Sequence, residues 1–506
     1  MQINSLPSEV LAHIFELGTA SPENDFGQDN FPALVSLVCK SWYTLATETP
    51  TLWNNLTLDA TELPPFTKTR TQIARSKGTP LNIYLDFSSR ADPELVQSIM
   101  HVLLAELARW RHLIMVVPDF DVMYSAVGMI ADVFKRPRTS APFLQVLRLY
   151  GPPEFDPTQP EPRSLPLPIP LFGVEDEDEE FEATPRLRDV VLCGVPLDWA
   201  TFVPSNLERL QLSLHSGSRR PTFSQFARLV TASPKLHTLI LNASGPSLPN
   251  AHSQPPRVDL PYLTSLTLDC FDPEYVERLL ARVCTPALES LALADAAGDS
   301  SRVFEMLAIG RGAHTDAVGR SVSGIAASSL SVLGSGSSAS VDSVASATSS
   351  TAAFPRLTSL KISSVECSPA AFRQLVRGLP NLTSVKLDAR DADPAVLCTM
   401  AEQAQEQPID IPRHSTLDRI CPHLSTITCT GVPGTVIRDF VAKRLKARVP
   451  IRTVRVCAAP EGDEPPQGHW LSAQDRAWLE RHVELEFFDE DEDEEIDGGA
   501  WWSTWD

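Results

Sequence analysis

From about residue 140 onward one pattern of apolar and polar positions keeps returning: a proline, a leucine, then apolar residues three and five positions after that leucine. It reads PFLQVLRL, PRLRDVVL, PSNLERLQL, PKLHTLIL, PYLTSLTL, PALESLAL, PRLTSLKI, PNLTSVKL and PHLSTITC. Apolar residues two apart line one face of a strand, so each phrase predicts a strand with a buried side and an open side. The leading leucines are Leu144, Leu187, Leu207, Leu236, Leu263, Leu288, Leu357, Leu382 and Leu424. Their spacings are 43, 20, 29, 27, 25, 69, 25 and 42, and five of these eight fall in the 20–29 range of a repeat built from one strand and one helix.

Between the phrases the period changes to that of a helix, as in FSQFARLVTA, DPEYVERLLARVC, SPAAFRQLVRGL and GTVIRDFVAKRL. A unit of one strand and one helix cannot cover its own apolar face, so the units must stack. The fold class expected is α/β: an irregular leucine-rich-repeat-like solenoid over 141–488, with a parallel sheet on its concave face and helices outside. Three intervals are long for visible reasons. The first holds a Pro-rich and acidic insert with GVEDEDEEFE, the second a Ser/Ala/Gly tract, and the third an extra helical pattern around DPAVLCTMAEQAQ. The first two inserts, about 151–183 and 310–353, are too polar or too small-residued to order themselves and are expected to be disordered. Before the repeats, a connecting region of 59–140 carries two earlier strand patterns, TPLNIYLDFS (79–88) and LARWRHLIMVVPD (107–119). After them, HWLSAQDRAWLERHVELEFF predicts a closing helix and strand, followed by a tail of 489–506. Its acidic run repels itself. Trp501, Trp502 and Trp505 are costly to leave in water, so either they fold back on the last repeat or they form a short motif for another protein.

The first 58 residues follow a different pattern. Pro7 suits the first turn of a helix and Glu9 faces its positive end, and Val10, Leu11, Ile14, Phe15 and Leu17 then form an apolar stripe. Asp29 or Asn30 can cap a second helix with Pro32 in its first turn and a stripe of Leu34, Leu37, Val38, Trp42 and Leu45. LWNNL makes a short third element anchored by Trp53. Three helices this small cannot bury all of these side chains among themselves. The order LPSEVLAHIF, then LVSLVCKSWYTLA, then LW resembles an F-box, and the whole layout is similar to the F-box and leucine-rich-repeat-like proteins common in fungi. The resemblance implies docking on the Skp-type adaptor of a cullin-type ubiquitin ligase. It places Leu6, Pro7, Leu11, Ile14, Phe15, Leu37, Cys39, Trp42, Leu45 and Trp53 at or just beneath that interface.

In the repeats, alternation puts Arg148, Tyr150, Asp189, Arg209, Gln211, Thr238, Asn242, Asp269, Lys361, Lys386 and Asp388 on the open strand face. Arg148, Tyr150, Arg209, Gln211, Lys361 and Lys386 are the expected contacts for a protein client, with the cations suited to an acidic or phosphorylated segment.

Composition narrows the function further. The net charge of 43 − 64 = −21 argues against a nucleic-acid partner. The basic runs FKRPR (134–138) and KRLKAR (443–448) read as solvated faces. No apolar run is long enough for a membrane partner and no leader precedes the first helix, so a cytoplasmic or nuclear protein is expected. The nine cysteines include no Cys-x-x-Cys pair. Cys421, His423 and Cys429 lack a fourth metal ligand of the usual spacing, so no metal or cofactor is expected. Neither a nucleophile elbow nor His-Glu-x-x-His is present, and no enzyme is expected. The sequence therefore points to a substrate receptor of a Skp-cullin-F-box type ligase, the alternative being a non-degradative binding scaffold that carries an F-box.

Overall fold

The computed structural model describes residues 3, 6–19, 31–88, 92–152, 167–172, 182–249, 257–308, 354–388, 421–457 and 471–488. The acidic run of the first insert, the Ser/Ala/Gly tract, the helical pattern DPAVLCTMAEQAQ and the acidic tail with its tryptophans lie outside the described residues. The chain divides into two units. Among the described residues one contains Met1–Phe271 with Arg278–Thr285, and the other Asp272–Glu277 with the residues from Pro286 on.

The first unit opens with helices α1 (Ser8–Thr19), α2 (Phe31–Val38) and α3 (Lys40–Glu48). The stripe predicted for a single second helix is split, because extended backbone at Cys39 separates α2 from α3. A 3-10 turn, Pro50–Trp53, then leads directly into β1 (Asn55–Asp59), so the expected boundary after residue 58 falls inside a strand. There follow α4 (Thr67–Ser76), β2 (Leu81–Asp86), α5 (Pro93–Leu104), β3 (Trp110–Val116) and α6 (Phe120–Phe134). The strands β4 (Val146–Tyr150), β5 (Asp189–Cys193) and β6 (Arg209–Ser213) come next, then α7 (Phe223–Thr231), β7 (Thr238–Asn242), the two-residue β8 (Val258–Asp259) and β9 (Ser265–Asp269). All pairings are parallel, and the order is β1-β2-β3-β4-β5-β6-β7-β9. The short β8 pairs with β10 (Val283–Cys284). In the second unit β11 (Ser290–Ala296), β12 (Ser359–Val365), β13 (Ser384–Asp388), β14 (Thr426–Thr430), β15 (Thr453–Cys457) and β16 (Glu484–Phe488) are again parallel and neighbours in chain order. The protein is thus mixed α/β, dominated by parallel strands laid down in sequence order with no closure into a barrel.

The repeated phrase has a repeated local chemistry. All nine leading leucines are buried. Most close a tight turn, with Leu144, Leu187, Leu236, Leu263, Leu357, Leu382 and Leu424 donating N–H to the carbonyl three residues back. Many strands end on a left-handed residue: Gly194, Leu214, Ala243, Cys270 and Gly431 directly follow β5, β6, β7, β9 and β14. The turned backbone brings N–H groups onto the neighbouring strand, as when Gly194 donates to Ser213, Leu214 to Asn242 and Ala243 to Asp269. Several helices start on side-chain caps. Asp119 accepts from the N–H groups of Asp121 and Val122, and Thr222 and Gln225 form a reciprocal capping box. Several helices contribute one wholly buried phenylalanine, namely Phe226, Phe304, Phe372 and Phe440.

Three expectations change. Within the stretch of 151–183 expected to be disordered, residues 167–172 are packed. Ile169 bridges to Leu197, Leu171 is buried, and the Phe172 ring sits 5.1 Å from Phe134 and 5.5 Å from Phe202. Three apolar side chains gave that piece the core contacts its proline-rich surroundings lack. The run KRLKAR is not wholly solvated, because Arg444 is buried and donates to the carbonyls of Cys421 and Leu424 at 2.9 and 3.4 Å. Burial disfavours its charge, and these carbonyls replace the lost water. Third, the two faces of the strands do not alternate everywhere between core and solvent. β4, β9 and the first five residues of β12 alternate, whereas β5, β6, β7 and β14 are buried at every position after the first.

Candidate interaction surfaces

The N-terminal helices sort the predicted stripe into two faces. Leu11, Phe15, Val35, Ala46, Leu52 and Trp53 form a closed cluster, with Phe31, Trp42 and Leu45 packed against it. The Phe15 and Trp42 rings meet edge to face at 4.9 Å. Trp53 donates its indole N–H to the Ala46 carbonyl at 2.7 Å, and the Arg75 guanidinium of α4 lies 4.3 Å over its ring. Leu11, Phe15 and Trp53 therefore lie beneath the surface and can shape an interface without touching a partner, as can the half-buried Trp42 and Leu45. Of the other predicted residues, Pro7, Ile14, Leu37 and Cys39 are exposed and Leu6 is half-buried.

More apolar surface is present than the motif identified. Val10, Ile14 and Leu17 recur on α1, Leu34, Leu37 and Val38 on α2, and Tyr43 on α3, all of them exposed. Leu37 is 82% exposed and Leu17 62%. Val10, Leu17, Leu34, Val38 and Tyr43 were missing from the predicted set. For Val10, Leu17 and Leu34 the signal was a spacing of three or four residues from Ile14 or Leu37, which sequence alone cannot distinguish from core.

On the strand face of the first unit, Asp189 lies between two arginines that sequence reasoning assigned to a client. Its carboxylate accepts from Arg148 at 2.7 Å and lies 4.0 Å from Arg209. Burial works against the charge of Arg148, but the Asp189 hydrogen bond and charge outweigh it and the guanidinium is held more firmly protonated. Arg209 also donates to the Gln211 side chain at 3.1 Å. Gln211 is a correction: it is buried and donates on to Ser213, so it has no open surface for a client. Tyr150 is partly buried, and burial pushes its phenol up to about 12. Neighbouring His112 is pushed down to about 4 by burial, with Arg111, Arg148 and Arg188 adding to the effect.

The second unit aligns Lys361 with Lys386, Lys386 with Thr428, and Thr428 with Arg455, which places three cations in one row across β12, β13, β14 and β15. Arg455 was missed because its strand, in PIRTVRVC, lacks the leading leucine. Two thiols lie beside this region. Cys421 and Cys429 are buried, burial pushes both up to about 12, and Cys421 donates to the Val376 carbonyl.

Against known proteins, residues 3–59 match the F-box-like family. That span takes in α1 through β1, the exposed apolar residues among them. No curated protein matches the chain.

Proposed function

We propose that the protein is a substrate receptor of a Skp-cullin-F-box type ubiquitin ligase, its F-box-like domain seated on a Skp-type adaptor and its strand faces gripping a protein client. F-box domains generally bind such adaptors. The observation that carries this reading is the division of labour within α1 and α2. Phe15, Leu11 and Val35 seal an internal cluster, yet Val10, Ile14, Leu17, Leu34, Leu37 and Val38 still face water. Apolar side chains gathered on so small a module mark an interaction surface. The parallel strands that follow it fit a leucine-rich-repeat-like solenoid, whose client contacts would lie on the strand face of the second unit, where Lys361 and Lys386 are aligned, since Arg148 and Arg209 of the first unit already share Asp189.

On this reading the chain makes and breaks no bonds. Its contribution is proximity, because a client held on the strands and an enzyme recruited through the adaptor react within one complex rather than by free encounter. The site of action is the cytoplasm, the nucleus or both.

The test is capture of purified Skp-type adaptor by the full-length chain and by a variant carrying Ile14→Glu with Leu37→Glu. Both positions are exposed, so the variant should keep the wild-type melting temperature while losing adaptor at least tenfold, since each buried charge costs several kcal/mol unless paired. Undiminished capture would overturn the reading. Client half-life under cullin inhibition then distinguishes receptor from scaffold: it lengthens for a receptor and stays fixed for a non-degradative scaffold.

A further inference from the structure

In the first unit α5 packs closely along α6 but not along α4, and a groove of about 650 Å³ lies between α4 and α5. It stays open because several of the side chains lining it are short: Ala74 on α4, Ser98 on α5 and Ala105 just beyond α5, all exposed. Half-buried Ile73 and Val102 give it an apolar floor. The charged lining is mostly basic, with Arg70, Lys77 and Arg109 against a single acid, Glu106, and with the His101 imidazole beside them. Glu106 is committed to Arg109 at 2.8 Å, so the excess positive charge rests on Arg70 and Lys77. Glu94, the next acid along this side of α5, stands a turn before Ser98 and forms no ion pair among the described residues.

Lys77 is held at the edge of this groove at a conformational cost. Its φ of 52° and ψ of −120° are those of the second residue of a type II′ turn, a position that favours glycine, yet the glycine of this turn stands one place later, at Gly78. The Thr79 N–H closes the turn on the Ser76 carbonyl at 3.1 Å. Arg109 locks it, donating to the Ser76 hydroxyl at 2.6 Å and to the Thr79 carbonyl at 2.9 and 3.1 Å. Strain of this kind gathers at ligand clamps, where the surrounding structure over-determines it. Arg70 is only partly committed, because its Nε–H goes to the Pro65 carbonyl at 2.9 Å and both terminal amino groups are left over. Neither those groups nor the Lys77 ammonium has a partner among the described residues.

We propose that the groove between α4 and α5 binds a small organic phosphate, with the phosphate on Arg70 and Lys77 and the organic part on Ile73 and Val102. A guanidinium, an ammonium and an imidazole N–H offer donors from two helices and a turn, which suits the three terminal oxygens of a phosphate monoester better than the two of a carboxylate. The volume lies within the ~300–1,000 Å³ range of small-molecule sites, which favours a small ligand over a length of peptide. Helix α4 also carries Arg75 onto Trp53 of the N-terminal cluster, so a ligand that ties α4 to α5 stiffens the support of that cluster. The site belongs to the first unit alone and does not depend on adaptor binding.

The experiment titrates the full-length chain with phenyl phosphate by calorimetry, with inorganic phosphate and phenol as comparison probes and a thermal melt by circular dichroism as the check on folding. Phenyl phosphate should bind at least ~tenfold more tightly than inorganic phosphate, and phenol should give no heat. Lys77→Gly should weaken phenyl phosphate at least ~tenfold while melting no lower than wild type, because glycine relieves the turn that lysine strains. Ala74→Leu with Ala105→Leu keeps both cations at exposed positions and should abolish binding by filling the groove, again without lowering the melting temperature. Equal affinity of wild type and Lys77→Gly would overturn the proposal, as would binding that survives the filled groove, or no binding by wild type. A phosphoserine peptide that binds more tightly than phenyl phosphate would overturn the small-molecule assignment and give the groove to a protein partner.

Discussion

At the residue scale the repeat has to turn the chain at the end of each strand, and the cost depends on what stands beside the turn. Leu214, Ala243 and Cys270 adopt a left-handed backbone with φ of 55°, 49° and 54° despite carrying a Cβ, so the conformation is tolerated. Gly194 differs in its surroundings, because a Cβ there would sit 2.1 Å from the Pro152 carbonyl oxygen. Gly194→Ala should therefore destabilise by about 2 kcal/mol or more, measured by chemical denaturation, where an open left-handed site would cost nearer 1 kcal/mol. His215 makes a second residue-scale case. It is buried, bonded to the Ser244 hydroxyl and packed 5.4 Å from the Trp199 ring, and burial pushes its pKa down to about 3. The unfolded imidazole titrates near 6.5, so between these values the unfolded chain binds a proton that the native chain refuses. The stability due to neutral His215 is complete above pH 6.5 and is lost as pH falls toward 3, by about 1.4 kcal/mol per pH unit. His112, pushed down to about 4, adds to the slope over a narrower window of the same sign. In His215→Asn the fall in denaturation midpoint between pH 6 and pH 4 should be shallower than in wild type; an unchanged slope would show that the ring is not held neutral.

At the element scale, the proposed reading has helix α1 separate stability from binding, and neighbouring residues should respond in opposite ways. Phe15→Ala empties the internal cluster and should cost about 3–5 kcal/mol of stability. Ile14→Glu, one position before it, lies in water and should change stability by no more than about 0.5 kcal/mol while weakening adaptor capture. Thermal unfolding and adaptor pull-down on the two variants check both halves. The same helix shows where sequence reading stops. All nine Pro-Leu phrases are strands with a buried leading leucine, because a two-residue period with a turn before it leaves the backbone few choices. The N-terminal stripe was legible as helix but not as inside or outside, since Leu11 and Ile14 are equally apolar and only the packing of α2 and α3 tells them apart. Likewise, the pattern put Asp189 on the open strand face and offered Arg148 and Arg209 to a client. Its pairing with both depends on the register of β4, β5 and β6, which the sequence pattern does not encode. Arg455 and β1 escaped because neither carries the full phrase.

At the scale of the whole molecule two properties oppose each other. The chain carries a net charge of −21, which keeps copies apart through long-range repulsion, yet its N-terminal helices hold out Leu17, Leu34, Leu37 and Val38 to solvent. Repulsion of this kind decays over a Debye length, about 30 Å at 0.01 M salt and about 8 Å at 0.15 M, whereas the attraction of apolar surfaces does not weaken with salt. Isolated full-length protein should therefore be monomeric at low ionic strength and self-associate as salt rises, with its sedimentation coefficient increasing with concentration. Ile14→Glu with Leu37→Glu should remove that association at every salt concentration, because it replaces the contact surface with charge. Saturating Skp-type adaptor should do the same to the wild-type chain by covering it. If association persisted in the double variant, the patch would not be what draws copies together. If it persisted in the wild-type chain despite saturating adaptor, adaptor and self-contact would use different faces, and the α1–α2 surface would lose its claim to be the docking site.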